Sequence, residues 1–201
     1  MKIGFIVECG PMGAETKVIP YLAGLVRPGI KTDVIPLDRK PVLKEHCGRY
    51  AAELLSRGCD RVLIVWDLLP DWGEYEGFGC LHDDREEIYQ SLRYAGIEPM
   101  DERIQLVCIH KMLEAWLLAD ERALSEFLST AAHRIPVARR KSTESVRDPK
   151  AALDTLFRTS RSPLNQYIDR EHAIKIAKLM PDLNRVNRLV TFTRFRDRLL
   201  R

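Results

Sequence analysis

Four short apolar runs, each followed by a segment of helical periodicity, constrain this chain more than any other feature. Residues 2–7 (KIGFIV), 32–37 (TDVIPL), 61–66 (RVLIVW) and 104–109 (IQLVCI) are rich in β-branched and aromatic side chains, the composition of strands. Between them the spacing predicts helices over 15–26, with Val18, Ile19, Leu22 and Leu25 on one face, over 43–57 with a stop at Gly58, and over about 83–95 with a stop at Gly96. A further helix is expected to start near Lys111. Runs that are apolar throughout belong to strands covered on both faces, and parallel strands need a crossover between them. The expected fold class is therefore α/β, a mostly parallel sheet flanked by helices. Pro36 marks 32–37 as an edge strand, and 61–66 reads as a central one.

Beyond residue 130 the strand pattern stops. Residues 134–147 (RIPVARRKSTESVR) read as an exposed basic loop, Asp148-Pro149 as a helix start, and helices are expected over 149–158, 169–179, 181–189 and 192–200. Two parts follow: an α/β domain over 1–130 and a basic all-helical C-terminal cap over 131–201, packed on the same domain. Charge divides at the same place. Residues 1–130 hold 15 basic and 22 acidic side chains, a net of −7, whereas 131–201 hold 17 and 7, a net of +10, so the formal total of +3 conceals two regions of opposite sign. An acidic part suits a cation-binding site and a basic part suits a polyanion; a solvated Arg-rich helical face is the alternative.

Composition excludes several classes. With 45% hydrophobic residues and only 11 Gly and 11 Pro, the chain is neither disordered nor collagen-like. Its 5 cysteines are odd in number, widely spread and without a CxxC pair, which argues against a disulfide scaffold and for the cytoplasm. The opening MKIGFIVE is too short for a signal-peptide core, and no run reaches eighteen apolar residues, so neither export nor a membrane partner is expected.

In an open parallel sheet, ligands bind outside the carboxyl ends of the strands. Glu8 follows the first run, Asp67 the third and His110 the fourth, with Glu114 four residues on. Glu8 and Asp67, with Asp71, Glu74, Glu76, Asp83 and Asp84 close behind in sequence, suit a hard cation such as Mg²⁺ or Mn²⁺. Each of these acids taken alone reads more readily as a helix cap or loop solvation; only Glu8 and Asp67 together bring the two readings into balance. The loop Gly10-Pro11-Met12-Gly13 lacks both GxGxxG spacing and a Lys-Ser/Thr pair, so it encodes no phosphate cradle. Its glycines instead let the chain turn while holding Glu8 and Glu15 near the sheet. His110 and Glu114, four apart, would share one helix face, and Trp116, Leu117 and Leu118 read as core.

Glu8, Gly10 and Glu15, the strand-end Asp67 and the string Glu114-Ala115-Trp116-Leu117-Leu118-Ala119-Asp120 resemble a Toprim-like family of bacterial proteins, domain-of-unknown-function family 4276. Asp148-Pro149-Lys150 with Leu153, and Phe192, Phe195 and Leu199, resemble that family's helical tail. The resemblance implies a Toprim fold, shared with topoisomerases, primases and overcoming-lysogenization-type nucleases, and hence a Mg-dependent phosphodiester hydrolase acting on nucleic acid. It further implies a setting in phage defence beside a partner ATPase. Glu8 would be the catalytic acid/base and Asp67 the first metal-binding aspartate, with Glu8, Asp67, Asp71 and Glu114 as the metal set. Arg139, Arg140, Lys141 and Arg147 of the basic cap would hold the nucleic-acid backbone. Two positions depart from the pattern: Cys9 stands where a glycine is expected, and the Asp-x-Asp reads Asp67-Leu68-Leu69. Loss of that second carboxylate supports an alternative, a catalytically inactive binding or sensor subunit of such a system.

Overall fold

Each of the four apolar runs forms a strand. In the computed structural model, which describes residues 1–69, 81–160 and 164–201, β1 (Lys2–Val7), β2 (Lys31–Pro36), β3 (Arg61–Asp67) and β4 (Ile104–Ile109) make one sheet in the order β2-β1-β3-β4. All three pairings are parallel. The chain is thus α/β, with helices on both faces of an all-parallel sheet. The Pro36 strand lies at an edge and β3 lies inside, as their sequences predict.

The crossovers decide where a site can form. α1 (Glu15–Val26) connects β1 to β2 on one face, while α2 (Lys40–Ser56) and α3 (Leu81–Tyr94) cover the other. Because side chains alternate along a strand, Phe5, Val7, Leu63, Val65 and Val107 pack with α1, whereas Ile6, Val62, Ile64 and Trp66 pack with α2 and α3. From β1 the chain steps outward to β2, then returns across β1 to β3 and β4 on the opposite face. The strand order therefore reverses between β1 and β3, and open parallel sheets place their ligand crevice at such a switch point, at the carboxyl ends of the strands.

α2 and α3 approach closely at Gly48. Its N–H donates to Ser91 Oγ at 3.0 Å, and that hydroxyl donates to the Glu45 carbonyl at 2.8 Å. A Cβ at position 48 would come within 2.0 Å of the Ser91 carbonyl oxygen, so the contact requires glycine. α2 begins at Lys40, before its predicted start, with Pro41 in its first turn. On α1, Leu25 is exposed and Ala23 takes its expected place inside.

The predicted helix from Lys111 is the four-residue α4 (Glu114–Leu117). Lys111 has a φ of 74°, which a right-handed helix cannot contain. α5 (Glu121–Leu128), α6 (Pro149–Thr159), α7 (Asp169–Lys178) and α8 (Val190–Leu200) follow. The helix expected over 181–189 is reduced to a single 3₁₀ turn, Val186–Arg188. Leu153, Phe157, Ile176, Phe192, Phe195 and Leu199 bury into the same apolar cluster as β1 and α1. The Trp116 ring lies 5.0 Å from Phe192 and 5.4 Å from Phe195, centroid to centroid. Among the described residues no helix is long and apolar enough to cross a membrane.

The basic segment 134–147 is exposed at its arginines but anchored at three buried positions, Ile135, Thr143 and Glu144, which corrects the reading of an exposed loop. Thr143 Oγ1 donates to the Ala115 carbonyl at 2.6 Å. Glu144 accepts from the Val190 and Thr191 N–H groups at 3.0 and 2.8 Å and from Thr191 Oγ1 at 2.5 Å, while Trp116 Nε1 donates to Thr191 Oγ1 at 2.9 Å. A carboxylate from a distant loop therefore caps the N-terminus of α8, where free N–H groups and the helix dipole favour negative charge. Glu144→Ala leaves two helix N–H groups and a buried hydroxyl without their acceptor, at a cost of about 2–4 kcal/mol. A fall in Tm of roughly 5–12 °C is expected in a chain of this size, with Glu144→Gln milder; thermal unfolding by circular dichroism checks it, and an unchanged Tm would contradict the capping role.

Candidate active site

Glu8 immediately follows β1 and Asp67 ends β3, so both stand at the switch point. The register pairs Val7 with Val65, which brings the next residues of the two strands side by side. The Asp67 N–H donates to Glu8 Oε2 at 3.1 Å. On its other side, Asp67 Oδ2 accepts from the Leu113 N–H at 3.3 Å. The positive φ at Lys111 turns the chain so that Leu113 can make this bond and Glu114 can open α4 beside it.

Glu15 reaches the same place from the start of α1. The turn that carries it folds back on itself, with the Gly13 N–H donating to the Gly10 carbonyl at 2.8 Å. A Cβ on Gly13 would come within 2.4 Å of Cys9 Cβ and 3.0 Å of Glu15 Oε2. This glycine is needed for close approach, and the residue it admits to the crevice is a carboxylate, not a phosphate.

The four acids lie within one another's fields. Burial pushes the Glu8 carboxyl up to about 8; Glu15 and Asp84 add to the effect, while Lys40 and the Asp67 N–H oppose it. Burial, then Glu15, Glu8 and Glu114, hold the Asp67 carboxyl well above the usual carboxylate range. Glu114, only 6% exposed, is raised by burial to about 7, with Glu15 and Asp169 adding and Lys150 opposing. Glu15 is raised chiefly by burial, with Asp169 adding and Lys150 opposing.

The surrounding groups come from both halves of the chain. Lys40, 1% exposed, donates to the Leu68 carbonyl at 2.8 Å and stands 3.8 Å from Asp84. Tyr167 OH donates to Glu114 Oε1 at 3.4 Å, and Lys150 pairs with Asp169 at 2.7 Å. The string Glu114 to Asp120 thus owes each polar residue to a contact. Glu114 faces the crevice, Trp116 meets Thr191, and Asp120, fully buried, caps α5 by accepting from the Arg122 and Ala123 N–H groups at 3.0 and 3.3 Å.

Of the residues expected from the sequence, Glu8, Asp67 and Glu114 come together and Glu15 joins them. Asp71, Glu74 and Glu76 lie outside the described residues. Asp84 is committed elsewhere, accepting from Trp66 Nε1 at 3.0 Å and pairing with Lys44 at 3.2 Å; Asp83 is exposed. His110 is exposed and precedes Lys111 outside any helix, so the shared face with Glu114 does not exist. Arg139, Arg140 and Lys141 line a shallow cleft with Arg185 and Arg188, whereas Arg147 does not. Lys40, Lys150 and Tyr167 were not legible as site residues; only the Asp148-Pro149-Lys150 string carries one of them, and its spacing says nothing about the sheet.

Carboxylate oxygens are the ligands that hard divalent cations prefer. A cation here would offset the burial and the like-charge repulsion that raise these carboxyls, so the donor set suits Mg²⁺ or Mn²⁺ in chemistry. Among the described residues, no three His, Cys, Asp or Glu side chains are already closed on one point as metal ligands would be. No protein-family model, curated protein or solved structure matches this chain.

Proposed function

We propose that this chain is a Toprim-like, Mg²⁺- or Mn²⁺-dependent phosphodiester hydrolase acting on nucleic acid. One observation carries the reading: four carboxylates, Glu8, Glu15, Asp67 and Glu114, meet at the switch point of a parallel sheet with their proton affinities raised together. Perturbed acids gathered in a crevice are characteristic of sites that do chemistry. Asp67, Glu15 and Glu114 would hold the cation, which when bound polarises a phosphate and acidifies water. In this arrangement Glu15 and Glu114 supply the carboxylates that Leu69, in place of the second aspartate, does not.

Glu8 sits beside that set and keeps a proton at its carboxyl up to about pH 8, which suits it to protonate a leaving oxygen and to take a proton back. The Leu113 N–H fixes the Asp67 carboxylate, and Tyr167 orients Glu114. Lys150 places positive charge near Glu15 and Glu114, where a phosphate oxygen would be neutralised. Arg139, Arg140 and Lys141 would contribute affinity for the backbone rather than sequence choice. A cytoplasmic role in phage defence with a partner ATPase belongs to the same proposal and rests on the family resemblance.

A second reading, an inactive binding or sensor subunit, is favoured by Leu69 and by the open arrangement of the acids. Incubation with Mg²⁺ or Mn²⁺ and single-stranded DNA, duplex DNA or RNA separates the two. Cleavage by the wild type is expected, with Glu8→Gln and Asp67→Asn slower by at least ~100-fold. Equal cleavage by all three proteins would show that the site is elsewhere; binding without cleavage by any would favour the inactive subunit.

A further inference from the structure

A second charged feature lies at the free edge of the sheet. β4 ends the strand order, and a cleft of about 530 Å³ runs along it between α3 and α8. Four arginines line it: Arg85 from α3, and Arg194, Arg198 and Arg201 from α8 and the residue after it. Positions 194, 198 and 201 are spaced by four and three, so the three guanidinium groups share one helix face and are strung over about 10 Å at ~1.5 Å per residue.

Among the described residues none of the four arginines pairs with a carboxylate. Arg198 donates to Gln105 Oε1 at 2.7 Å, and Arg85 donates to Tyr89 OH at 2.9 Å with its guanidinium 5.7 Å from that ring. Two acids stand on the rim, Asp101 and Glu102, but Asp101 is held by Arg103 at 2.7 Å. Burial, then Arg201, Arg85 and Arg194, pull the Arg198 pKa below its ordinary value, as expected of cations facing one another without a counter-charge. The loop cleft differs in size, enclosing only about 20 Å³, and one of its cations, Arg185, is paired with Glu121 at 2.8 Å.

We propose that the α3–α8 cleft is the track for the phosphate backbone of a single nucleic-acid strand. A row of guanidinium groups matches a row of phosphates better than one compact anion, and phosphate contacts of this kind set register rather than sequence. The lining reaches Trp66 and Cys108, which pair across β3 and β4; the next pair in register is Asp67 with Ile109. The track therefore ends one residue pair from the carboxylate site. That the anion is nucleic acid rests on the function proposed above; the anion-binding cleft rests on the arginines alone.

Binding of an end-labelled single-stranded oligonucleotide, followed by fluorescence anisotropy in chelator over a salt series, tests this without hydrolysis. The double variant Arg85→Glu/Arg194→Glu, at two exposed positions, is expected to bind at least ~10-fold more weakly and to lower the salt slope by about two. Arg85→Gln/Arg194→Gln should weaken binding in the same direction, and Arg139→Glu/Arg140→Glu should change it less than either. Circular dichroism establishes that each variant is folded. Wild-type affinity in both Arg85/Arg194 variants, a loss confined to the loop variant, or no binding by the wild type would each overturn the proposal. Arginine-dependent binding with no cleavage in Mg²⁺ or Mn²⁺ would support the cleft while removing the hydrolase reading, and cleavage with arginine-independent binding would do the reverse.

Discussion

Asp67→Asn is expected to unfold at a higher temperature than the wild type at about pH 8 in the absence of divalent cations, while losing activity. Asp67 ends a central strand, and burial together with Glu15, Glu8 and Glu114 disfavours its charged form. Asparagine keeps the shape and an oxygen for the Leu113 N–H, and it removes the charge. Relief of even a tenfold bias against ionisation is worth ~1.4 kcal/mol, about 3–6 °C in a chain of this size. A gain of at least that much is expected by scanning calorimetry, alongside a loss of hydrolysis of ~100-fold or more. The opposite signs matter. A structural acid would lower the Tm when neutralised, whereas an acid kept at a cost in stability for the sake of function raises it. A lower Tm in Asp67→Asn would make Asp67 a structural residue.

The second large effect is a dependence of stability on pH that a divalent cation reverses. The Glu8 carboxyl is raised from 4.5 to about 8 and that of Glu114 from 4.5 to about 7. A carboxyl whose folded-state pKa lies above its unfolded value binds its proton more tightly in the folded state. Its contribution to stability is fully present below about 4.5 and is lost as pH rises through about 7 to 8. The metal-free protein should therefore lose Tm between pH 5.5 and pH 8 through these groups. A cation binds the ionised acids, so its effect has the opposite pH dependence. At about 100 times its dissociation constant it contributes roughly 2.7 kcal/mol, or about 5–10 °C, at pH 8, and much less at pH 5.5. Thermal unfolding with and without Mn²⁺ at the two pH values reads this directly. An equal shift at both, or none at pH 8, would argue against a carboxylate metal site.

The sheet was legible because parallel strands covered on both faces must be apolar along their whole length, which makes KIGFIV, RVLIVW and IQLVCI hard to mistake for helix. Glu8 and Asp67 were legible for the same reason, since the end of an apolar run marks the end of a strand. Glu114 could be named, but its geometry could not, because the positive φ at Lys111 is imposed by the turn towards Asp67 and leaves no periodic trace. Tyr167 and Lys150 arrive through packing of the helical cap against the sheet domain, at sequence separations where spacing carries no information. Glu144 is the clearest case: within a basic loop it reads as solvated charge, yet it caps α8 and meets Thr191, itself bonded to Trp116. The count of basic residues identified the cap as cationic. It did not show that the face shared by Arg194, Arg198 and Arg201 lies opposite Arg85, because that depends on where α8 lies against β4.

Everything proposed for this site depends on Glu15, Asp67 and Glu114, with Glu8 beside them, holding a divalent cation. Titration of Mn²⁺ into the metal-free protein at about pH 8, with free Mn²⁺ followed by electron paramagnetic resonance, tests it most directly. The wild type is expected to remove the free signal stoichiometrically and Asp67→Asn only at much higher concentration, with Mg²⁺ competing. Indistinguishable titrations of wild type and Asp67→Asn, both folded, would contradict it.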